Sequence, residues 1–386
     1  MALSAEVNGE SFEWKEGLRE ADIRRTGGQD PAHGPWVGLE AAGQIPGREI
    51  GLKVEYRLLE QSPLLIWRVR ISNHGKYDLK LQSLDLMRVG ENADRSSRIG
   101  MWLNTWRQRH QGSREKADFW LMDGWQSWSF AGTLVDENII TGTRLGPATK
   151  PMYLNPSSNH RGRVSEMFAL LGNRAEQVGW LVGQLSERQA FGSLHAQPFR
   201  ERATLRLNNS LDGVLLGSED SFTTDWAAVQ PLDLSHPEPN APYLEAVARE
   251  NQARRESETP VGWCSWYYFF EDVTERDIRD HVEWIAENRD SLPLQLVQID
   301  DGYQREIGDW LERKETFPSG HQQVVKEIEA AGLTPGLWLA PFIAVPQARI
   351  VAEHPEWVLR NERGRPVRAG YNWGTFFIAL DLTNPE

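Results

Sequence analysis

Leu294-Gln-Leu-Val-Gln-Ile-Asp-Asp-Gly-Tyr303, with Gly308-Asp-Trp310 close behind it, is the stretch on which the reading of this chain turns. Leu294, Leu296, Val297 and Ile299 make an apolar run too short for a helix, bounded by Pro293 and Gly302. Such a run reads as a strand buried on both faces, the habit of parallel sheets. Two adjacent carboxylates, Asp300 and Asp301, stand where the strand stops. In α/β architectures, ligands bind at the carboxyl ends of the strands. Neighbouring carboxylates repel unless cations, donors or ligand hydroxyls face them, and a polyol such as a sugar brings hydroxyls. Taken alone, the pair is equally well read as a helix or turn cap beside a solvated neighbour.

On either side the sequence keeps a strand–helix rhythm. Val261-Gly-Trp-Cys-Ser-Trp266 predicts a short strand, and Thr274 opens a helix with Asp277 completing a weak capping box. Ile278, Val282 and Ile285 mark its buried face. Pro318-Ser319 then leads to a helix around Val324, Val325 and Ile328, closed by Gly332 at C′. Gly336-Leu-Trp-Leu-Ala-Pro341 predicts a third strand. Trp263, Ile299 and Leu337 are 36 and 38 residues apart, a regular βα unit length. This alternation implies parallel α/β architecture of the (β/α)8 type. Such a barrel needs about 250 residues, and residues 259–386 supply 128. The expectation is therefore the first half of a barrel, three to four strands, in a truncated chain. Phe376-Phe-Ile-Ala-Leu380 is either an excursion or a further strand.

Upstream the period changes to two. Leu52, Val54, Tyr56 and Leu58 alternate with polar partners, as do Leu65, Trp67, Val69 and Ile71, and Ala203, Leu205 and Leu207. These are half-buried antiparallel strands, with turn chemistry at Asn73-His-Gly75, Asn208-Asn209-Ser210 and Asp212-Gly213. Residues 1–234 thus read as an all-β sandwich. Residues 235–258 read as a linker, since Ser235–Pro242 holds three prolines, followed by a connecting helix to about Arg255. Within the β region, Asp123-Gly-Trp-Gln-Ser-Trp-Ser-Phe-Ala-Gly132 breaks the alternation and reads as a loop. It either tucks its indoles under the sandwich or presents Trp125 or Trp128 to a ligand.

Composition narrows the function. A net charge of −13 without a basic stripe argues against nucleic acid. No apolar run reaches membrane-spanning length, and the N-terminus lacks the signal-peptide pattern. One cysteine, Cys264, excludes an internal disulfide framework, so a cytoplasmic location is the expectation. Phosphate loops, a GxSxG elbow and zinc-ligand spacing are missing. The 17 Trp outnumber the 8 Tyr. Trp263, Asp300, Asp301 and Trp338 combine hydroxyl acceptors with flat apolar walls, the mixture a carbohydrate needs.

At these residues the chain resembles the α-galactosidases of glycoside hydrolase family 36. The resemblance rests on Gly262-Trp-Cys-Ser-Trp-Tyr-Tyr-Phe269, Gln298-Ile-Asp-Asp-Gly-Tyr303 with Gly308-Asp-Trp310 and Phe317-Pro-Ser319, and Gly336-Leu-Trp-Leu-Ala-Pro-Phe342. It continues through His354-Pro-Glu-Trp-Val358 and Leu380-Asp-Leu382, with Gly124-Trp-Gln-Ser-Trp128 matching in the β region. It implies a multidomain plan of β-sandwich, (β/α)8 barrel and small C-terminal β domain. It also implies that Asp300 and Asp301 bind O4 and O6 of a terminal galactose, and that Trp263 and Trp338 line the same subsite. Trp125 or Trp128 would reach in from the sandwich. For Asp309, helix capping is an equal reading. The family retains configuration, using two carboxylates about 5–5.5 Å apart. The resemblance puts the nucleophile in a Lys-x-Asp motif on the fourth strand and the acid/base on the sixth. Here no lysine follows Lys326, and only Asp309 and Asp381 follow Asp301. Both catalytic carboxylates are thus expected beyond residue 386, and the chain is expected to be inactive. The implied substrate is a small α-galactoside, with no cofactor, no metal and room for a homo-oligomer at full length. The alternatives are a galactosyltransferase of the raffinose-synthase type and a non-catalytic galactose-binding β protein.

Overall fold

The strands Ile50–Leu59 and Leu65–Asn73 pair antiparallel, from Ile50 opposite Asn73 to Leu58 opposite Leu65. Leu52, Val54, Trp67, Val69 and Ile71 are buried as their alternation requires, whereas Leu58 is exposed and Leu59 turns inward at the hairpin end. A computed structural model describes residues 2–14, 21–45, 47–89, 118–124, 131–135, 163–197, 204–254, 259–372 and 374–385. The chain divides into two units, Met1–Arg254 and Arg255–Glu386.

Among the described residues, the first unit is built on a six-stranded and a ten-stranded sheet. Ala5, Val7, Leu81, Leu84 and Leu207 of one share a core with Val54, Trp67, Trp120 and Val182 of the other. Two sheets closing on one apolar layer is sandwich packing. The fully buried Trp67 indole N–H donates to the Leu86 carbonyl at 3.1 Å, so the polar end of this core side chain is satisfied in the facing sheet.

Asn208-Asn209-Ser210 is not a turn. It lies inside the long strand Thr204–Leu216, with Asn208 opposite Asp85 and its amide donating to Asp85 at 2.8 Å. A buried acceptor outweighs the local turn preference here. Asp212 and Gly213, both at positive φ, instead form a register shift within that strand.

The helix expected as a connector runs Ala241–Glu250 and belongs to the first unit. Tyr243 and Ala246 are buried beside Leu170, Leu181 and Trp226, and the Tyr243 hydroxyl donates to the Gln184 carbonyl at 2.5 Å. At its far end Glu250 meets the buried His33 ring at 2.9 Å.

In the second unit, Gly262–Cys264, Leu296–Ile299 and Thr334–Leu337 form a parallel sheet in that order. The third strand starts and stops earlier than its apolar run suggests, leaving Trp338 just beyond it. Helices Glu275–Glu287 and His321–Ala330 bury Ile278, Val282, Ile285, Val324 and Ile328 against Val297 and Ile299. The Thr274–Asp277 capping box is formed in both directions. Gly332, at φ +72, lets Leu333 N–H reach Ile328 O at 3.1 Å and its own N–H reach Glu329 O at 2.8 Å, a Schellman closure. Thr375–Ala379 pairs antiparallel with Ile343–Ala344 and Arg368–Asn372, so this apolar run is an excursion rather than a parallel strand.

Candidate functional site

Parallel pairing fixes which side chains share a face. Cys264, Gln298 and Gly336 lie in one row across the three strands, and Trp263, Val297 and Pro335 lie in the next, pointing the other way. Val297 and Ile299 join the helix-covered core. Asp300 has the parity of Gln298, so it opens on the face away from the helices.

That face converges on the Asp300 carboxylate. Gln298 Nε2 donates to Oδ2 at 2.7 Å, and the Cys264 thiol lies on the same oxygen at 3.4 Å. Oδ1 accepts the Asp301 backbone N–H at 2.9 Å, while the Asp300 N–H donates to Ser265 Oγ at 2.9 Å. Asp301 Oδ1 accepts Gln304 Nε2 at 2.5 Å. Both carboxylates are largely buried, with 9% and 5% of their surface exposed. Burial pushes the Asp301 carboxyl above the usual range; the Gln304 donation opposes this, and the Glu271 and Asp300 charges push it further up. Burial likewise raises the Cys264 thiol, with the Asp300 carboxylate adding to it.

Trp338 continues the third strand opposite Asp300, its N–H bonding Ile299 O at 2.9 Å. Its indole sits edge-on to Trp310 at 5.8 Å, and its carbonyl accepts the Tyr303 hydroxyl at 3.3 Å. Trp263 is not brought to the carboxylates. It stacks on His281 of the covering helix at 4.6 Å and meets Phe269 edge-on. Alternation along the strand forces this, because Cys264 next to it takes the Asp300 side. Trp125 and Trp128 lie outside the described residues.

Asp309 is a cap. Its carboxylate accepts Arg349 N–H at 2.9 Å and Ile350 N–H at 3.1 Å, closing the start of the helix Arg349–Glu353. Sequence reasoning missed Gln298, Gln304, Cys264 and Ser265 as partners of the pair. Their alternation with Trp263, Val297 and Ile299 was the available signal for Cys264 and Gln298. Among the described residues, no cluster of three or more His, Cys, Asp or Glu is arranged to hold a metal. A cleft of ≈ 520 Å³ in the first unit, walled by residues including His33, Gln230, His236 and Arg249, is lined by neither Asp300 nor Asp301 and by no indole.

A melibiase family model matches residues 243–386, the span that carries this carboxylate pair. Through those residues the chain is similar to the melibiase family. The chain is 30% identical over 127 residues to α-galactosidase AgaA of Geobacillus stearothermophilus, covering 31% of this chain and 17% of that protein. A bifunctional α-galactosidase/sucrose kinase of Mediterraneibacter gnavus is 25% identical over 261 residues, 62% of this chain and 26% of its own length. Among solved structures, α-galactosidase TtGalA of Thermus thermophilus, in complex with p-nitrophenyl α-D-galactopyranoside, aligns with all of the chain and 58% of its own, at 21% identity and a TM-score of 0.54. A variant of AgaA with bound 1-deoxygalactonojirimycin aligns with all of the chain and 51% of its own, at 18% identity and a TM-score of 0.59. These relatives carry the name α-galactosidase, and the chain matches only part of their length.

Proposed function

We propose that this chain is part of a retaining α-galactosidase that removes terminal α-linked galactose from small oligosaccharides. The carrying observation is the Asp300–Asp301 pair at the carboxyl end of the middle parallel strand, within the melibiase segment. Solved neighbours with bound stachyose and a p-nitrophenyl galactoside support this substrate class. In this reading the three parallel strands are the first of a (β/α)8 barrel, whose ligands bind at the strand ends. An ionised carboxylate accepts hydroxyl protons, and two adjacent ones reward an axial O4 lying beside O6. Trp338 supplies an apolar wall beside them, and Trp263 is a packing residue.

Cleavage with retention needs two carboxylates on opposite sides of one glycosidic bond, about 5–5.5 Å apart. Adjacent residues at one strand end cannot flank a bond in that way, so Asp300 and Asp301 hold the sugar rather than cut it. Both catalytic carboxylates are assigned to sequence beyond Glu386. The purified 386-residue chain is expected to release no nitrophenol from p-nitrophenyl α-galactoside. Clear turnover by this chain would defeat that assignment, and its loss in Asp300→Asn or Asp301→Asn would make the pair itself catalytic. Calorimetry with galactose on wild type and Asp301→Ala tests the holding role, since binding that ignores Asp301 removes it.

A further inference from the structure

The two carboxylates are not equivalent, and two glutamine amides make the difference. Asp300 has both oxygens engaged within the protein, Oδ1 by the Asp301 N–H and Oδ2 by Gln298 Nε2 and the Cys264 thiol. Asp301 has one oxygen in a hydrogen bond of ordinary geometry, Oδ1 with Gln304 Nε2 at 2.5 Å, and the Gly302 N–H lies near the same carboxylate. Its Oδ2 accepts no hydrogen bond of ordinary geometry among the described residues, and it is not one of the buried oxygens left without a partner, so it still reaches solvent.

The Gln304 side chain is itself held at both ends. Its carbonyl oxygen accepts the Gly302 N–H at 3.2 Å, which turns the amide nitrogen toward Asp301. Its backbone bridges Arg313, and the residue is buried. An amide whose oxygen is already committed has only its N–H groups to offer the carboxylate.

We infer that Gln304 is a positioning residue that clamps Asp301 through Oδ1 and thereby presents Oδ2 as the acceptor for a ligand hydroxyl, while Asp300, held by Gln298 and Cys264, is the fixed wall of the pair. The ligand half of this inference rests on the galactose reading above; the clamp does not. The charged groups facing Asp301 are Asp300 at its own strand end and Glu271 from the short 3-10 helix Phe270–Asp272, both negative. The Gly302 N–H adds a pull in the same direction as the Gln304 amide. Gln304 is therefore a main local donor set against two repelling charges and the burial of the carboxylate.

The test is NMR on the full 386-residue chain with 13Cγ-labelled aspartate and 15N-labelled glutamine side chains, first without sugar. Asp301 is assigned by the signal lost in Asp301→Asn. The Gln304 side-chain amide proton is expected to move with pH at the same midpoint as the Asp301 carboxyl. In Gln304→Leu the Asp301 midpoint should rise, and in the shape-preserving Gln304→Glu it should rise further. The wild-type measurement decides if either variant fails to fold. A Gln304 amide that ignores the Asp301 titration overturns the clamp, whatever the protein binds. Galactose is then added. The Asp301 carboxyl should respond more strongly than Asp300, with its midpoint pushed down by the donated hydroxyl. A response confined to Asp300 overturns the assignment of Oδ2. An intact clamp with no response to galactose overturns the sugar reading and the ligand half of the inference together, and leaves the clamp standing.

Discussion

The thiol of Cys264 rests 3.4 Å from Asp300 Oδ2, one strand across the parallel sheet from the carboxylate pair. Burial raises this thiol, and the neighbouring carboxylate adds to the shift. Only the thiolate is nucleophilic, so a raised thiol reacts slowly near neutral pH and faster as pH rises. Iodoacetamide should therefore label Cys264 more slowly at pH 7 than it labels a free cysteine. Asp300→Asn removes the repelling charge and should accelerate labelling. Since Cys264 is the single cysteine, intact-protein mass spectrometry reads the rate without ambiguity. Labelling as fast as a free thiol, and unchanged in Asp300→Asn, would contradict the contact.

Asp309 ties a distant turn to the strand end through two backbone N–H groups, those of Arg349 and Ile350. Removing an acceptor that caps a helix start costs about 0.5–2 kcal/mol. Asp309→Ala should lower stability by that order and speed hydrogen exchange at Arg349 and Ile350. Asp309→Asn should recover part of the loss, because one amide oxygen still accepts. Unchanged exchange at both amides would show that the cap is idle.

The second unit was largely legible because its signals are local. Thr274 with Asp277, Gly332 after Ile328, and the apolar run ending at Ile299 each state their own structure within a few residues. What escaped is decided by pairing across strands. Trp263 looks like a site residue from its neighbours in sequence, yet parity puts Cys264 on the carboxylate side and sends the indole to His281. Asn208 and Asn209 carry turn chemistry, but Asp85 on a strand more than a hundred residues away holds Asn208 in register. Gln304 has no local signature at all. It matters only because Gly302 and Asp301 fold back onto it.

Gly302 follows the carboxylate pair with φ +119, and a Cβ there would lie 2.7 Å from the Glu271 carbonyl oxygen. Both the dihedral and the close approach demand glycine. Gly302→Ala should cost about 1–3 kcal/mol and displace the turn that aims Asp301 and Gln304. Chemical denaturation gives the loss of stability, and the Asp301 carboxyl NMR signal reports the displacement. A variant as stable as wild type with an unmoved Asp301 signal would mean that the 3-10 helix carrying Glu271 yields freely.

Asp301 also sets a pH dependence, and its sign follows from the direction of its shift. Its folded-state carboxyl lies above the unfolded value, chiefly through burial. The native chain therefore holds this proton more tightly than the unfolded chain does. Stability associated with the group is fully present below the ordinary carboxylate range and is lost as pH rises through the folded value. Asp301→Asn removes the ionisation while keeping an oxygen that can accept from Gln304. The variant should therefore melt higher than wild type at pH 7, and the gap should close as pH falls to about 4, near the ordinary aspartate value. Thermal melts of both proteins across that range decide the matter, and an Asp301→Asn that is less stable at pH 7 would mean that the ionised carboxylate is a net stabilising partner where it sits.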